Sequence, residues 1–172
     1  MKDELILVDT EDNEIGFEEK EKCHVKNGIL HRAFSIFIFN EEKELLIQQR
    51  GKYKMLWPLF WSNSCCSHPR KGESIENAAS RRIVEECGIA CELKRIYKFK
   101  YSSKFEEVGS ENEICHVFIG KNNNNPIVNL EEIENWKWIK IPDLLNDISK
   151  NPNKYTPWFK LELIELKKRN LL

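Results

Sequence analysis

Glu111-Asn112-Glu113 sets two carboxylates on one face of a strand, because successive side chains alternate across a pleated backbone. Two like charges side by side are unfavourable unless a cation lies between them or one is protonated. Three of the four histidines, His24, His31 and His68, stand in or beside loops and strand starts. With Glu111 and Glu113 they make a full nitrogen and oxygen donor set for an octahedral divalent ion such as Mn²⁺ or Mg²⁺, and Zn²⁺ also fits. The plain alternative is a solvated strand end and three unconnected histidines, and spacing does not choose between them. Cys66 stands two residues before His68, with Cys65 beside it. A thiol in a polar, histidine-flanked loop is either a reactive group or a small buried hydrophobe.

A second question arises at Glu86. Ser74 suits a helix N-cap, and Gly88 suits a left-handed end. Between them Ile75, Ala79 and Ile83 recur at i, i+4 and i+8 as an apolar stripe. At about 100° per residue, Glu86 falls in the middle of that stripe and Arg82 at its edge. An ionised glutamate on an inward face is costly unless something positive meets it. Either Arg82 pairs with it one turn away, or Glu86 is a metal-ligand carboxylate at the mouth of a pocket.

The elements that must position these groups follow from pattern. Leu5 to Val8 reads as a strand turning through Thr10–Glu14 into Ile15-Gly16-Phe17, a hairpin. Lys20 to Gly28 is loop or short helix. Arg32 to Phe39 is a buried strand, turned by Asn40-Glu-Glu-Lys into Glu44 to Gln49 as a second hairpin. Trp57 to Ser64 is an irregular strand end. Cys91 to Tyr101 and Asn112 to Gly120 are strands, the latter apolar on both faces and so central. Lys121 to Pro126 is a surface loop. Trp136 to Ile141 is a strand, Pro142 to Ile148 a short helix, and Thr156-Pro157 caps a last helix toward Lys167-Lys168-Arg169. This order is α+β, helices packed on a mixed sheet.

The 172 residues suit one domain, 1–172, with a proper hydrophobic core. A net charge of −1 supplies no field for nucleic acid or an anionic membrane. The apolar run Ala33 to Phe39 is far too short to span a bilayer. The N-terminus has charges without a long apolar segment behind them, so no export signal is expected. The six cysteines contain no C-x-x-C pair and read as reduced cytoplasmic thiols.

Ser67-x5-Glu73-x7-Arg81-Arg82-Ile83-x-Glu85-Glu86-x-Gly88-Ile89 resembles the Nudix box. Ser67 stands for its first glycine and Arg82 for one of its metal-binding glutamates. Those departures resemble type I isopentenyl diphosphate isomerase, as do Asn63-Ser-Cys-Cys-Ser-His-Pro before the box and Glu111-Asn-Glu after it. The resemblance runs from Lys20, through His24, His31-Arg-Ala-Phe-Ser, Arg50, Lys54 and Trp57-Pro58, to Pro157-Trp158.

The resemblance implies a Nudix-like mixed sheet and interconversion of isopentenyl and dimethylallyl diphosphate in isoprenoid biosynthesis, by protonating and deprotonating carbon. It implies Cys66 and Glu113 as the catalytic pair, with Tyr101 as a proton-relaying neighbour. His24, His31, His68, Glu111 and Glu113 would hold the first ion. Mg²⁺ would arrive with the diphosphate, bound by Glu86 and the main chain at Cys66. Lys20, Arg50, Lys54 and Arg82 would clamp the diphosphate, and Trp158 would face a cationic intermediate. A monomer or weak homodimer is expected. His116 and the cysteines other than Cys66 are read as structural. Two rivals share the fold: a Nudix pyrophosphohydrolase, which needs the carboxylate that Arg82 replaces, and a non-catalytic binding module, which would not need Cys66, Glu113 and three histidines together.

Overall fold

The computed structural model describes residues 4–172; residues 1–3, the start of the stretch read as lacking an export signal, lie outside the described residues. The described residues run β1 (Glu4–Val8), β2 (Glu14–Glu19), α1 (Lys20–His24), β3 (His31–Phe39), β4 (Glu44–Arg50), β5 (Trp61–Ser62), β6 (Cys65–Ser67), α2 (Ile75–Cys87), β7 (Leu93–Phe105), β8 (Gly109–Lys121), β9 (Ile133–Lys140), α3 (Ile141–Lys150) and α4 (Pro157–Lys168). Every expected element is present. β7 and β8 are longer than expected and close as a hairpin at Phe105 and Gly109. At α2, Ser74 Oγ accepts from the Asn77 amide at 3.2 Å, and Gly88 ends the helix at φ 64°. Thr156 precedes α4 as expected but does not cap it with its side chain, which bonds Ser62 Oγ at 2.9 Å.

β3 is the hub of the sheet. One edge runs parallel to β8 from His31 opposite Glu113 to Phe39 opposite Lys121. Three strands share its other edge: β1 at His31, β6 from Phe34 to Ile36, and β4 only at Phe39. The expected β3–β4 hairpin therefore pairs only at its tip. Ser64 explains the split, since its hydroxyl accepts from the Ile38 amide at 2.9 Å and donates to the Leu46 carbonyl at 2.7 Å. A side chain thus takes main-chain bonds that a continued hairpin would have made. β4 instead pairs along its length with β9, and β6 gains a place directly beside β3.

The pleat of β3 sends Phe34, Ile36 and Ile38 to one face, where Ile75, Ala79 and Ile83 of α2 pack on them with Cys65. Phe37 faces the other way, with Val117 and Cys115 of β8, against Leu144 of α3 and Trp158, Phe159, Leu163 and Leu166 of α4. Cys65 and Cys66, adjacent in β6, consequently point to opposite faces. His116 is structural too: its Nε2 meets Asp12 Oδ2 at 2.9 Å and ties the β1–β2 turn to β8. Among the described residues no helix is long and apolar enough to cross a membrane.

Candidate active site

Sheet register does most of the assembly. Glu113 of β8 lies opposite His31 of β3 on one side and Tyr101 of β7 on the other, so three adjacent strands place an imidazole, a carboxylate and a phenol in one row. Glu111 stands two positions along on the same face. His68 follows directly on β6, whose Ser67 pairs with Phe34. His24 closes α1, and its carbonyl packs against Gly109 where a Cβ would collide with it. Gly109→Ala is accordingly expected to destabilise the protein by about 1–3 kcal/mol and to displace His24. Thermal unfolding measures the first effect and calorimetric Mn²⁺ titration the second; an unchanged melting temperature would show that α1 shifts freely.

The five residues converge as the donor set anticipated. His24, His31, His68, Glu111 and Glu113 each offer a ligand atom, and these atoms all lie within 4.8 Å of one another. Nδ1 of His24 donates to the Lys20 carbonyl at 2.6 Å, and Nδ1 of His31 to the Ile29 carbonyl at 2.7 Å. Both imidazoles therefore aim an Nε2 lone pair at the centre. His24 Nε2 then faces Glu111 Oε2 at 3.1 Å, a contact that needs either a proton on the imidazole or a cation between the two, and His31 Nε2 and Glu111 Oε2 have no hydrogen-bond partner. Buried acceptors turned on one another are costly unless a cation sits between them. The set fits a divalent ion.

Glu113 joins this cluster to a cavity of about 510 Å³. Its Oε1 is 2.8 Å from His68 Nε2, and its Oε2 accepts from the Tyr101 hydroxyl at 2.6 Å. Burial works to raise its pKa, but His31 and the Tyr101 hydrogen bond outweigh burial and hold it below the usual carboxylate range. Burial, reinforced by the Glu113 charge, pushes Tyr101 well up. Cys66 lines the same cavity with Trp158. Its thiol donates to Asn63 Oδ1 at 2.8 Å, and Trp158 Nε1 donates to its sulfur at 3.2 Å. Burial pushes this thiol up to about 12, so it rests protonated at neutral pH.

The expected cations divide. Lys20, Arg50 and Lys54 line the cavity. Arg50 is anchored through the Trp57 and Leu56 carbonyls at 3.0 and 2.8 Å, which sets its guanidinium carbon 5.1 Å from the Trp158 ring centre. Burial, with the neighbouring Lys54 charge, lowers the Lys20 pKa. Arg82 lines an adjoining cleft that Lys20, His68 and Glu132 share. It pairs with Glu86 at 2.5 Å and Glu132 at 2.8 Å, so the intrahelical ion pair weighed for Glu86 is formed. Glu86 is almost fully buried and stands outside the five-residue cluster.

Sequence reasoning passed over several neighbours. Glu132 pairs with both Lys54 and Arg82; burial would raise its pKa, yet these cations hold it at about 2. It lies in a loop, where no periodicity marks an inward side chain. Asn63 is fully buried, and its Nδ2 donates to the Ile36 and Cys65 carbonyls at 3.1 and 2.9 Å, which turns Oδ1 toward Cys66. Glu162 of α4 is completely buried among Phe159, Leu163 and Leu166. The signal that marked Glu86, a carboxylate inside an apolar stripe, was present there as well.

The NUDIX domain family matches residues 29–159. A crystal structure of a Deinococcus radiodurans protein superimposes with a TM-score of 0.70 at 22% identity, covering 86% of this chain and 89% of that one. The MutT protein of Methanosarcina mazei gives 0.66 at 18% identity, over 82% and 94%. At such identities the likeness concerns fold alone. An isopentenyl-diphosphate delta-isomerase 2 of Aromatoleum aromaticum is 43% identical over 158 residues, 92% of this chain and 83% of its own length. An isopentenyl-diphosphate delta-isomerase 1 of Photorhabdus laumondii is 44% identical over 164 residues, 94% and 93%. With the domain match, the His/Glu cluster indicates divalent-metal binding. Identity sustained over nearly the whole length narrows a widely shared fold to one kinship: the chain belongs to the isopentenyl-diphosphate delta-isomerase family of NUDIX-domain proteins.

Proposed function

We propose that this chain interconverts isopentenyl diphosphate and dimethylallyl diphosphate, shifting a double bond by one position. One observation carries the reading: Cys66, Glu113 with Tyr101, and Trp158 line a single cavity that Lys20, Arg50 and Lys54 also line. Moving the double bond adds a proton to one alkene carbon and removes another from a neighbouring carbon, through a tertiary cation. Such chemistry needs a proton donor, a proton acceptor, an electron-rich wall and an anchor for the diphosphate.

Cys66 and the Glu113–Tyr101 pair supply the two proton-handling groups. The resting states support this, since Cys66 holds its proton and Glu113 is ionised beside a phenol that can pass one. The buried Trp158 ring offers its π face to the cationic carbon, an interaction of roughly 2 kcal/mol when desolvated. Lys20, Arg50 and Lys54 hold the diphosphate, and Arg82 joins them by leaving its carboxylate partners.

His24, His31, His68, Glu111 and Glu113 would hold Mn²⁺ or Mg²⁺, whose charge would fix the Glu113 carboxylate and acidify protons attached nearby. Glu86 and the main chain at Cys66 would meet the Mg²⁺ that accompanies the diphosphate. Arg82, among Glu85, Glu86 and Glu132, argues against hydrolysis, which uses a carboxylate at that position to gather metal. All six cysteines are free, which suits a reducing cytoplasm. The protein acts as a monomer or weak homodimer in this reading.

The test is incubation with isopentenyl diphosphate and Mg²⁺ in D₂O, followed by NMR. Dimethylallyl diphosphate carrying deuterium is the expected product. Absence of both product and deuterium uptake would sink the proposal.

A further inference from the structure

Glu162 lies one turn beyond Trp158 on the inward face of α4, and the reaction described so far makes no use of it. Its Oε1 lies 3.7 Å from the Cys115 sulfur, and its Oε2 has no hydrogen-bond partner among the described residues. The same thiol donates to Ser35 Oγ at 3.4 Å, and Ser35 Oγ stands 3.7 Å from Cys66 Sγ. Strand pairing fixes that last approach, since Ser35 of β3 lies opposite Cys66 of β6. A chain of exchangeable protons thus leads from a buried carboxyl to the thiol in the cavity.

No lysine or arginine among the described residues pairs with this carboxyl. The titratable groups around it are Cys66 of β6, Cys115 and Glu113 of β8, and Tyr97 of β7, whose hydroxyl donates to the Glu162 carbonyl at 3.4 Å. Arg169 lies over the Tyr97 ring, 4.6 Å from its centre. Burial pushes Glu162 up to about 8; Ser35 and Cys115 pull it back, and the Glu113 charge adds to the rise. Glu162 is therefore largely protonated at neutral pH. An apolar residue would fill the position between Phe159 and Leu163 at lower cost.

We infer that Glu162 is a positioning residue that keeps a proton in reserve for Cys66 and exchanges it through the Cys115 thiol and the Ser35 hydroxyl. The inference rests on the isomerase reading above. When Cys66 has given its proton to a substrate carbon, Ser35 passes its hydroxyl proton to the thiolate, the Cys115 S–H proton passes to Ser35, and the carboxyl O–H proton passes to Cys115. An S–H bond forms, the hydroxyl is restored, and the negative charge comes to rest on Glu162. In the opposite direction Cys66 first gives its proton through Ser35 and Cys115 to the Glu162 carboxylate, and the thiolate then takes a proton from the substrate carbon.

The test compares Glu162→Gln, Ser35→Ala and the double variant. Glu162→Gln should lower kcat by about tenfold or more with KM unchanged, because Glu162 touches no substrate. Ser35→Ala should lose a similar rate, and the double variant should be no slower than the slower single one. The limb of the kcat–pH profile set by Glu162 should vanish in the Gln variant and persist in Glu162→Asp. Infrared difference spectra at neutral pH should contain a protonated-carboxyl band in the parent that Glu162→Gln lacks. A missing band, or a Gln variant with the parent's kcat and pH profile, overturns the relay. Should Glu162→Gln fail to fold, full activity in Ser35→Ala overturns it equally. A parent that fails to isomerise overturns the function and the relay together, whereas an active parent with an indifferent Gln variant overturns the relay alone.

Discussion

Cys66→Ala is expected to lower kcat by about 10²–10⁴-fold while leaving the fold in place. The first half follows from position, since Cys66 is the exchangeable proton on the Trp158 side of the cavity. The second half follows from what its removal leaves behind. Asn63 Oδ1 loses the thiol but still accepts from Ser62 Oγ at 2.9 Å, and Trp158 Nε1 still donates to that hydroxyl at 3.1 Å. No buried polar group is orphaned, so only the space of one sulfur atom is lost, about 1 kcal/mol. Parallel turnover assays and thermal unfolding check the two halves. Near-normal turnover would remove Cys66 from the proposed catalytic pair, and gross unfolding would show that the thiol is a structural keystone instead.

The parts of this site that could be read from sequence depend on simple periodicity. Strand alternation put Glu111 and Glu113 on one face, and helical spacing put Glu86 inward with Arg82 one turn away; both hold. Convergence was another matter, because it depends on which strands become neighbours. His31 meets Glu113 only because β3 and β8, far apart in the chain, run parallel in that register. Ser35 meets Cys66 only because Ser64 wedges open the expected β3–β4 hairpin and lets β6 in. A short Asn40–Lys43 turn looks like a continuous hairpin, and nothing local reveals that a loop serine will take its hydrogen bonds. Glu132 was invisible for a related reason, as a loop residue acquires its inward direction from the tertiary fold. Glu162 was legible in principle: with Phe159, Leu163 and Leu166 it repeats the stripe logic applied to α2.

Glu113→Gln should abolish turnover more completely than Glu111→Gln, and the two should differ in how they respond to excess metal. Glu113 has two tasks. Its Oε1 faces His68 and His31, at 2.8 and 3.5 Å, and its Oε2 takes the Tyr101 hydroxyl. A glutamine fits the same space, with its amide N–H groups toward the imidazole lone pairs and its oxygen accepting from Tyr101. No partner is stranded, but the fold holds Glu113 ionised below the usual carboxylate range, so removing its charge should lower the melting temperature at neutral pH in the absence of metal. What is lost is an anionic ligand and a carboxylate able to take the Tyr101 proton. Metal affinity should fall by at least about 10–100-fold, the loss that follows removal of outer-shell partners alone. Glu111 lacks the Tyr101 contact and meets His24 instead. Glu111→Gln should therefore weaken the ion to a similar degree but recover turnover when Mg²⁺ or Mn²⁺ is raised to saturation. Glu113→Gln should stay inactive with the site filled, as established by calorimetric titration of each variant before assay. Recovery of the Glu113 variant at saturating metal would reduce Glu113 to a ligand and move the proton-handling role to Tyr101 or another group in the cavity.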